Sequence, residues 1–277
     1  MQREEFVQLV SEKGIELYRD LPWRNIDDPY AVLVSEVMLQ QTQVSRVQRY
    51  WTRWMELFPT VDALAAADTA TILEIWQGLG YNRRALALKR ACEACSADGG
   101  GLLPRTVDEL VKLPGIGPAT AAGVIAFAYD EPSVYIETNV RSVFLHELFP
   151  DGEEVSDKQL VPYVVDTCPS RGARAWYYAL LDYGAHLKSQ TVNPSRRSKH
   201  YTRQSKFEGS RREKRSFLLK QVLTAPDGIE LEELAARLDE YEQQAKRGVV
   251  DRELFETITS DLIDEGFFRR EGELLIP

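Results

Sequence analysis

From residue 4 to about 187 the chain repeats apolar residues at the 3.6-residue helical period, and only short breakers interrupt it: LPWRNIDDP, FPTV, GLGYN, DGGGLLP, LPGIG, DEP and FPDGEE. Strand signals are scarce over that span. The pattern predicts a mainly α protein built from helices joined by tight turns.

One helix carries a residue out of place. In YAVLVSEVMLQQTQV, Tyr30 to Val44, the residues Val32, Leu33 and Leu39 share a face with Glu36. A carboxylate on an apolar stripe costs several kcal/mol unless it is paired, neutralised or hydrogen-bonded. Either the helix carries a structural pair or it holds an acid in reserve.

A second motif lies further along. Thr106 followed by Glu109 in RTVDELVKL is a capping box that starts a helix. The helix stops at LPGIGPAT, and the small apolar run ATAAGVIAFAY begins another, so residues 106–128 read as a helix-hairpin-helix. Gly115 and Gly117 allow a tight turn that comes close to a partner. The exposed N–H groups at the start of the second helix, at Ala119 and Thr120, then make an anion site that suits a DNA phosphate.

Net charge is −9, which alone argues against nucleic acid, but the distribution reverses that argument. Residues 191–215 hold nine Lys/Arg against two Glu, whereas 216–277 hold seven against fifteen acidic residues. Arg196, Arg197, Lys199 and Arg203, with Tyr201 and Phe207 interleaved, form a candidate phosphate-contacting stripe; a solvated linker is the plain alternative. The tail reads as three helices, KRSFLLKQVL, LEELAARLDEY and RELFETITSDLIDEGF, then a hairpin across Glu271-Gly272: a winged-helix-like α+β module. Its acidity points to a protein partner rather than to DNA readout. Three cysteines argue against a disulfide framework, and Cys92 and Cys95, a lone CxxC, read as ordinary packing. No apolar run approaches a bilayer span, and no secretory leader is expected.

The strings LPWR, SEVMLQQTQV, FPTV, GLGYNRRA, LPGIGPATA, NVRSV and LDYGA, in this order across residues 5–187, resemble the helix-hairpin-helix (HhH-GPD) DNA glycosylases, most closely the MutY-type adenine glycosylases. The resemblance implies a six-helix barrel domain over 24–132 beside a second helical domain built from 1–23 and 133–190, with the substrate cleft between them. A basic linker, 191–213, and the winged-helix-like domain, 214–277, complete the expected organisation.

It also implies roles. Glu36 falls on the family's catalytic glutamate, the acid that protonates the departing purine, and an apolar setting that raises its pKa suits that task. Glu137 stands where the superfamily pattern has the sugar-facing aspartate, and Asn139 matches a residue near the sugar. Trp23 and Arg24 resemble the base-pocket wall, with Leu39 beside them. Gln41 looks like the plug that fills the gap left by a flipped base, Thr42 lies beside the opposite base, and Tyr81 looks like the stacking wedge. Ala119 replaces the Schiff-base lysine of bifunctional relatives, which excludes strand cleavage by that route. Asn82 stands where a second tyrosine is usual. The four cluster cysteines expected after LDYGA are absent, with Lys188 near the first, so no iron–sulfur cluster is expected. A monovalent cation could sit at the hairpin turn. The nudix-like C-terminal domain usual in MutY-type enzymes is replaced as well.

The expected function is therefore a monofunctional glycosylase of base-excision repair that removes adenine opposite guanine or 8-oxoguanine from mismatched or lesion-bearing duplex DNA. It is expected to be a monomer in a bacterial or archaeal cytoplasm, at the nucleoid. One alternative keeps the fold and changes the base; another is a non-catalytic DNA-damage-binding or regulatory protein.

Overall fold

The computed structural model describes residues 1–151, 154–203 and 205–277, and the backbone but not the side chains of 98 and 99. Gly152 and Glu153 of the FPDGEE break, and Gln204 of the basic segment, lie outside the described residues. The chain divides into two compact units: residues 1–65 with 90–203, and residues 66–89 with 204–277. The expected boundaries at 23/24 and 132/133 both fall inside the first.

Helices run in chain order as α1 (Arg3–Glu16), α2 (Pro29–Leu39), α3 (Val44–Leu57), α4 (Val61–Ala66), α5 (Thr69–Trp76), α6 (Arg83–Gly99), α7 (Val107–Leu110), α8 (Pro118–Tyr129), α9 (Thr138–Leu148), α10 (Asp157–Thr167) and α11 (Ala173–Gln190). A 3₁₀ turn, Pro194–Arg197, follows. Their starts follow local chemistry. Asp28 caps α2 by accepting from the N–H groups of Tyr30 and Ala31, with Pro29 in the first turn, where its missing N–H costs nothing. At α8 the cap position is Gly117, which offers no side-chain bond, and Pro118 again occupies the first turn.

The first unit is organised around α11, which packs on α1 and α9, and around the pairing of α2 with α8. Phe6 of α1 sits 5.0 Å from the ring of Phe144 in α9 and 6.2 Å from Trp176 in α11, all three buried. Truncating Phe6 to alanine would cost about 3–5 kcal/mol. Where α11 crosses the start of α9, Gly184 lies against the carbonyl of Asn139, and any side chain would strike that backbone. This crossing fixes the position of the segment that leads into α9.

The second unit contains α5, the loop after it, α12 (Arg211–Leu223), α13 (Leu231–Gln244) and α14 (Arg252–Asp264). The expected hairpin is present as β2 (Arg269–Glu271) and β3 (Leu274–Ile276). A two-residue strand, β1 (Ile229–Glu230), pairs antiparallel with the other side of β3, giving the order β1-β3-β2. Sequence reading missed β1 because two residues carry no periodicity. Inside this unit lies a charged cluster. Lys214 Nζ and Arg247 Nη2 stand 3.0 and 2.9 Å from the Glu242 carboxylate, and Tyr241 donates to Glu213 at 2.7 Å. Burial alone would raise Glu242, but the bonds from Arg247 and Lys214 outweigh it, and its pKa lies below the ordinary carboxylate value.

Candidate active site

A cavity of about 220 Å³ opens in the first unit, lined by α2, α8, the segment before α9 and α11. That is several times the ~30 Å³ share of one water molecule. Three rings form much of one wall: Phe127 and Tyr178 stack at 4.9 Å, and Tyr135 meets Phe127 edge-on at 5.1 Å. Trp23 and Leu39 add further apolar surface.

Glu36 stands among these groups. Its helix is buried on nearly every side, so the carboxyl can only point into the cavity or into protein. Burial pushes its pKa up to about 8; the Tyr135 hydroxyl, which donates to the carboxylate, works against that rise, and the negative charge of Glu137 adds to it. No cation enters this balance, so the surroundings favour the protonated form of Glu36. Gly123 of α8 makes the space, since a Cβ there would collide with Glu36 Oε2 and press on the Tyr135 ring. The surroundings of this partly exposed carboxyl favour its acid form over a structural ion pair.

Glu137 caps α9. Its Oε1 accepts from the backbone N–H groups of Asn139 and Val140 at 2.5 and 3.2 Å. Two N–H donors and the positive end of a helix stabilise a negative group at this point. Glu137 and Asn139 both line the cavity. The two glutamates thus face one space in contrasting surroundings, one apolar and one rich in donors.

Arg24 also lines the cavity, but its guanidinium is already engaged. Nη1 and Nη2 each donate to Asp182 at 2.7 Å, while Arg19 Nε reaches the same carboxylate at 2.6 Å. The face of Arg24 lies 4.4 Å from the Tyr178 ring centroid. Arg24 therefore stiffens the wall, and Asp182 fixes its direction.

The remaining expected residues separate into groups. Thr42, Ala119 and Thr120 line the cavity, with the Thr120 hydroxyl turned inward to accept from Gln40 Nε2 at 3.1 Å. Gln41 is exposed with a left-handed backbone, φ 54°, and does not line it. Tyr81 belongs to the second unit. At the hairpin, Gly115 takes φ 74°, a conformation that side chains resist, and the space beside Gly117 is open. Ala119 is exposed at the start of α8.

The basic stripe needs a correction. Arg197 points inward and donates to the carbonyls of Leu145 (2.5 Å) and Phe149, closing the C-terminal end of α9. Its 3₁₀ turn packs on that helix; Asn193 caps it, and the chain then bridges to Val155. A guanidinium so placed is a fastener and not a phosphate contact. Arg196, Lys199 and Arg203 are exposed. This stretch is also where the resemblance places four cluster cysteines. The chain's three cysteines, Cys92 and Cys95 in α6 and Cys168 after α10, lie elsewhere, and backbone hydrogen bonds tie this segment to Val155.

Sequence reading passed over Tyr135, Gly123 and Asp182. Tyr135 had a signal: two residues before Glu137 in an extended stretch, it shares that residue's side of the chain. Gly123 and Asp182 gave none, because their partners lie far away along the chain.

Two glutamates, one in an apolar setting and one supported by donors, thus share a cavity in a helical unit. Residues 34–183 match the model of the HhH-GPD superfamily base excision DNA repair proteins, more than half of the chain, and the chain belongs to that family. It is similar to the adenine DNA glycosylase of Mycolicibacterium smegmatis, 40% identical over 171 residues that cover 60% of this chain and 58% of that one. The Mycobacterium tuberculosis protein of the same name is 43% identical over 127 residues, 46% and 42% of the two chains. The matched stretch thus spans about half the length of these curated relatives. Among solved structures, a thermostable thymine-DNA glycosylase aligns with a TM-score of 0.60 at 24% identity, over 66% of this chain and 86% of that one. A non-covalent endonuclease III–DNA complex aligns at 0.59 and 20% identity, over 69% and 90%. At these identities the structural likeness establishes the fold. No helix among the described residues is long and apolar enough to cross a membrane.

Proposed function

We propose that this chain is a monofunctional DNA glycosylase that takes a flipped adenine, mispaired with guanine or 8-oxoguanine, into the Glu36 cavity and hydrolyses its N-glycosidic bond. The observation that carries the reading is one cavity lined by two carboxyl groups, Glu36 in an apolar setting that raises its pKa and Glu137 supported by two N–H donors. Cleavage of a purine–deoxyribose bond needs a proton on the leaving base and negative charge near an oxocarbenium-like sugar, the division of labour of paired carboxylates in sugar chemistry. Glu36 supplies the proton and Glu137 the charge; Asn139, at the same helix start, faces the sugar side. The ring wall of Phe127, Tyr135 and Tyr178 offers a flipped base stacking surface. No lysine is among the cavity-lining residues, and Ala119 offers no amine, which supports hydrolysis without strand cleavage. Duplex DNA would be held by the hairpin turn and by Arg196, Lys199 and Arg203, and catalysis would proceed without an iron–sulfur cluster.

The names of the relatives support adenine over other bases. The test is a panel of duplexes with A·G, A·8-oxoguanine, T·G and uracil pairs, assayed for base release and then for strand breaks. Adenine release without breaks is expected. Release of a pyrimidine alone would replace the substrate, and no release from any duplex would leave a DNA-binding protein.

A further inference from the structure

The second unit is acidic in total, yet one of its faces is not. Tyr81, in the loop after α5, is 37% exposed and takes a left-handed backbone with φ 49°. A non-glycine residue rarely holds that conformation unless its surroundings fix it. Here they do. Arg212, in the first turn of α12, donates from Nη1 to the Tyr81 hydroxyl at 2.5 Å, with its guanidinium carbon 5.5 Å from the ring centroid. Nη2 of the same residue donates to the Ser205 carbonyl at 2.7 Å. The ring of Phe207, 51% exposed, lies 5.9 Å from the same guanidinium carbon, and Arg84 approaches the Tyr81 ring at 5.6 Å.

Two carboxylates border this cluster, and both are covered. Glu265 is bound by Arg83 at 2.5 Å and by Arg215 at 2.7 Å, while Asp261 is bound by Arg211 at 2.6 Å. The described bonds of Arg212 run only to neutral oxygens. The face therefore carries five arginines against two neutralised acids, with two aromatic rings open to solvent. Exposed rings interleaved with arginine are what nucleic acid recognition uses, the rings for stacking and the guanidinium groups for phosphate.

We propose that Arg212 of α12 and Phe207 just before it add a duplex-DNA contact of their own beside the wedge expected at Tyr81. The inference rests on the DNA-acting reading above and replaces a protein partner for this side of the C-terminal module. Arg212 has two tasks: it fixes the Tyr81 turn and presents positive charge beside the ring.

The test is binding of the full chain to a fluorescently labelled duplex carrying an uncleavable abasic-site analogue, measured across a salt series. Arg212→Ala is expected to weaken binding about tenfold and to reduce the log Kd against log salt slope by about 0.9, the signature of one phosphate contact. Phe207→Ala, at an exposed site with no bearing on folding, is expected to weaken binding severalfold with the slope unchanged. Arg252→Ala, on the α14 surface and paired to Glu232 and Glu256, is expected to change neither. Unaltered binding in both Arg212→Ala and Phe207→Ala overturns the proposal. Tighter binding in Arg212→Ala also overturns it, because the contact would then mask Tyr81. Base release plays no part in this measurement, so a failure here and a failure of the glycosylase reading give separate results.

Discussion

Glu36, partly buried in the cavity of the first unit, and Glu242, buried in the helical cluster of the second, have surroundings that push them in opposite directions. Burial acts alike on the two, raising the pKa. Glu242 meets Lys214 and Arg247 and stays ionised; Glu36 meets a tyrosine hydroxyl and another glutamate, and its proton stays on. The difference is one of partners. A buried carboxylate with cations is a strut, and one without them is stored acid.

The sharpest way to break the comparison is to remove each proton site. Glu36→Gln keeps shape and hydrogen-bonding capacity but has no acidic proton. It is expected to slow base release at least about 100-fold, the low end for losing a general acid, with duplex binding retained. The same change should stabilise the fold. Stability contributed by Glu36 is full below its ordinary value of 4.5 and is lost as pH rises toward about 8. At pH 7 the glutamine variant should therefore gain on the order of 2 kcal/mol in denaturant melts. A less stable variant would show that Glu36 is a satisfied structural carboxylate.

Glu137→Gln should cost about 100-fold, within the range for removing one pre-placed charge-stabilising group. Glu137→Asp keeps the charge and the helix cap but retracts the carboxylate by up to ~1.5 Å, so its single-turnover rate is expected between the other two. Equal rates for native and Gln would remove Glu137 from the chemistry.

In the second unit the sign reverses. Glu242→Gln leaves Lys214 without its counter-charge and Arg247 with Glu213 alone, and thermal or urea unfolding should show a loss of about 3 kcal/mol. The native contribution exists above pH 4.5 and disappears as pH falls through the lower folded value of Glu242. Glu242→Gln should therefore flatten the acid limb of the stability profile, whereas Glu36→Gln flattens the neutral-to-alkaline limb.

Much of this contrast was legible from the residues, and some was not. Glu36 was visible because one carboxylate on an apolar helical stripe breaks a simple pattern, and the hairpin was visible from its capping box and glycines. The strut at Glu242 was invisible: in a tail with fifteen acidic residues nothing local marks the one that turns inward. Arg197 misled for the same reason, since charge composition does not record whether a guanidinium faces solvent or two carbonyls. Local periodicity reports on a residue's own helix, and partners brought by other helices are outside its reach.

The smallest expected effect is also the finest probe. Tyr135→Phe removes the hydrogen bond that favours the ionised form of Glu36. Such a charge-assisted bond is worth about 1.5 kcal/mol, so the pKa of Glu36 should rise further, by about one unit. The alkaline edge of activity would move upward by the same amount, with the rate below it little altered.

That edge tests the central claim most directly. Single-turnover base release by the native chain, measured on one duplex across pH, should hold steady through neutrality and fall tenfold per unit above about 8, as Glu36 loses its proton. Glu36→Gln should show low activity without this edge. A native profile that stays flat for a further unit beyond that value, or an edge that survives in Glu36→Gln, would contradict the account of Glu36 as the stored acid.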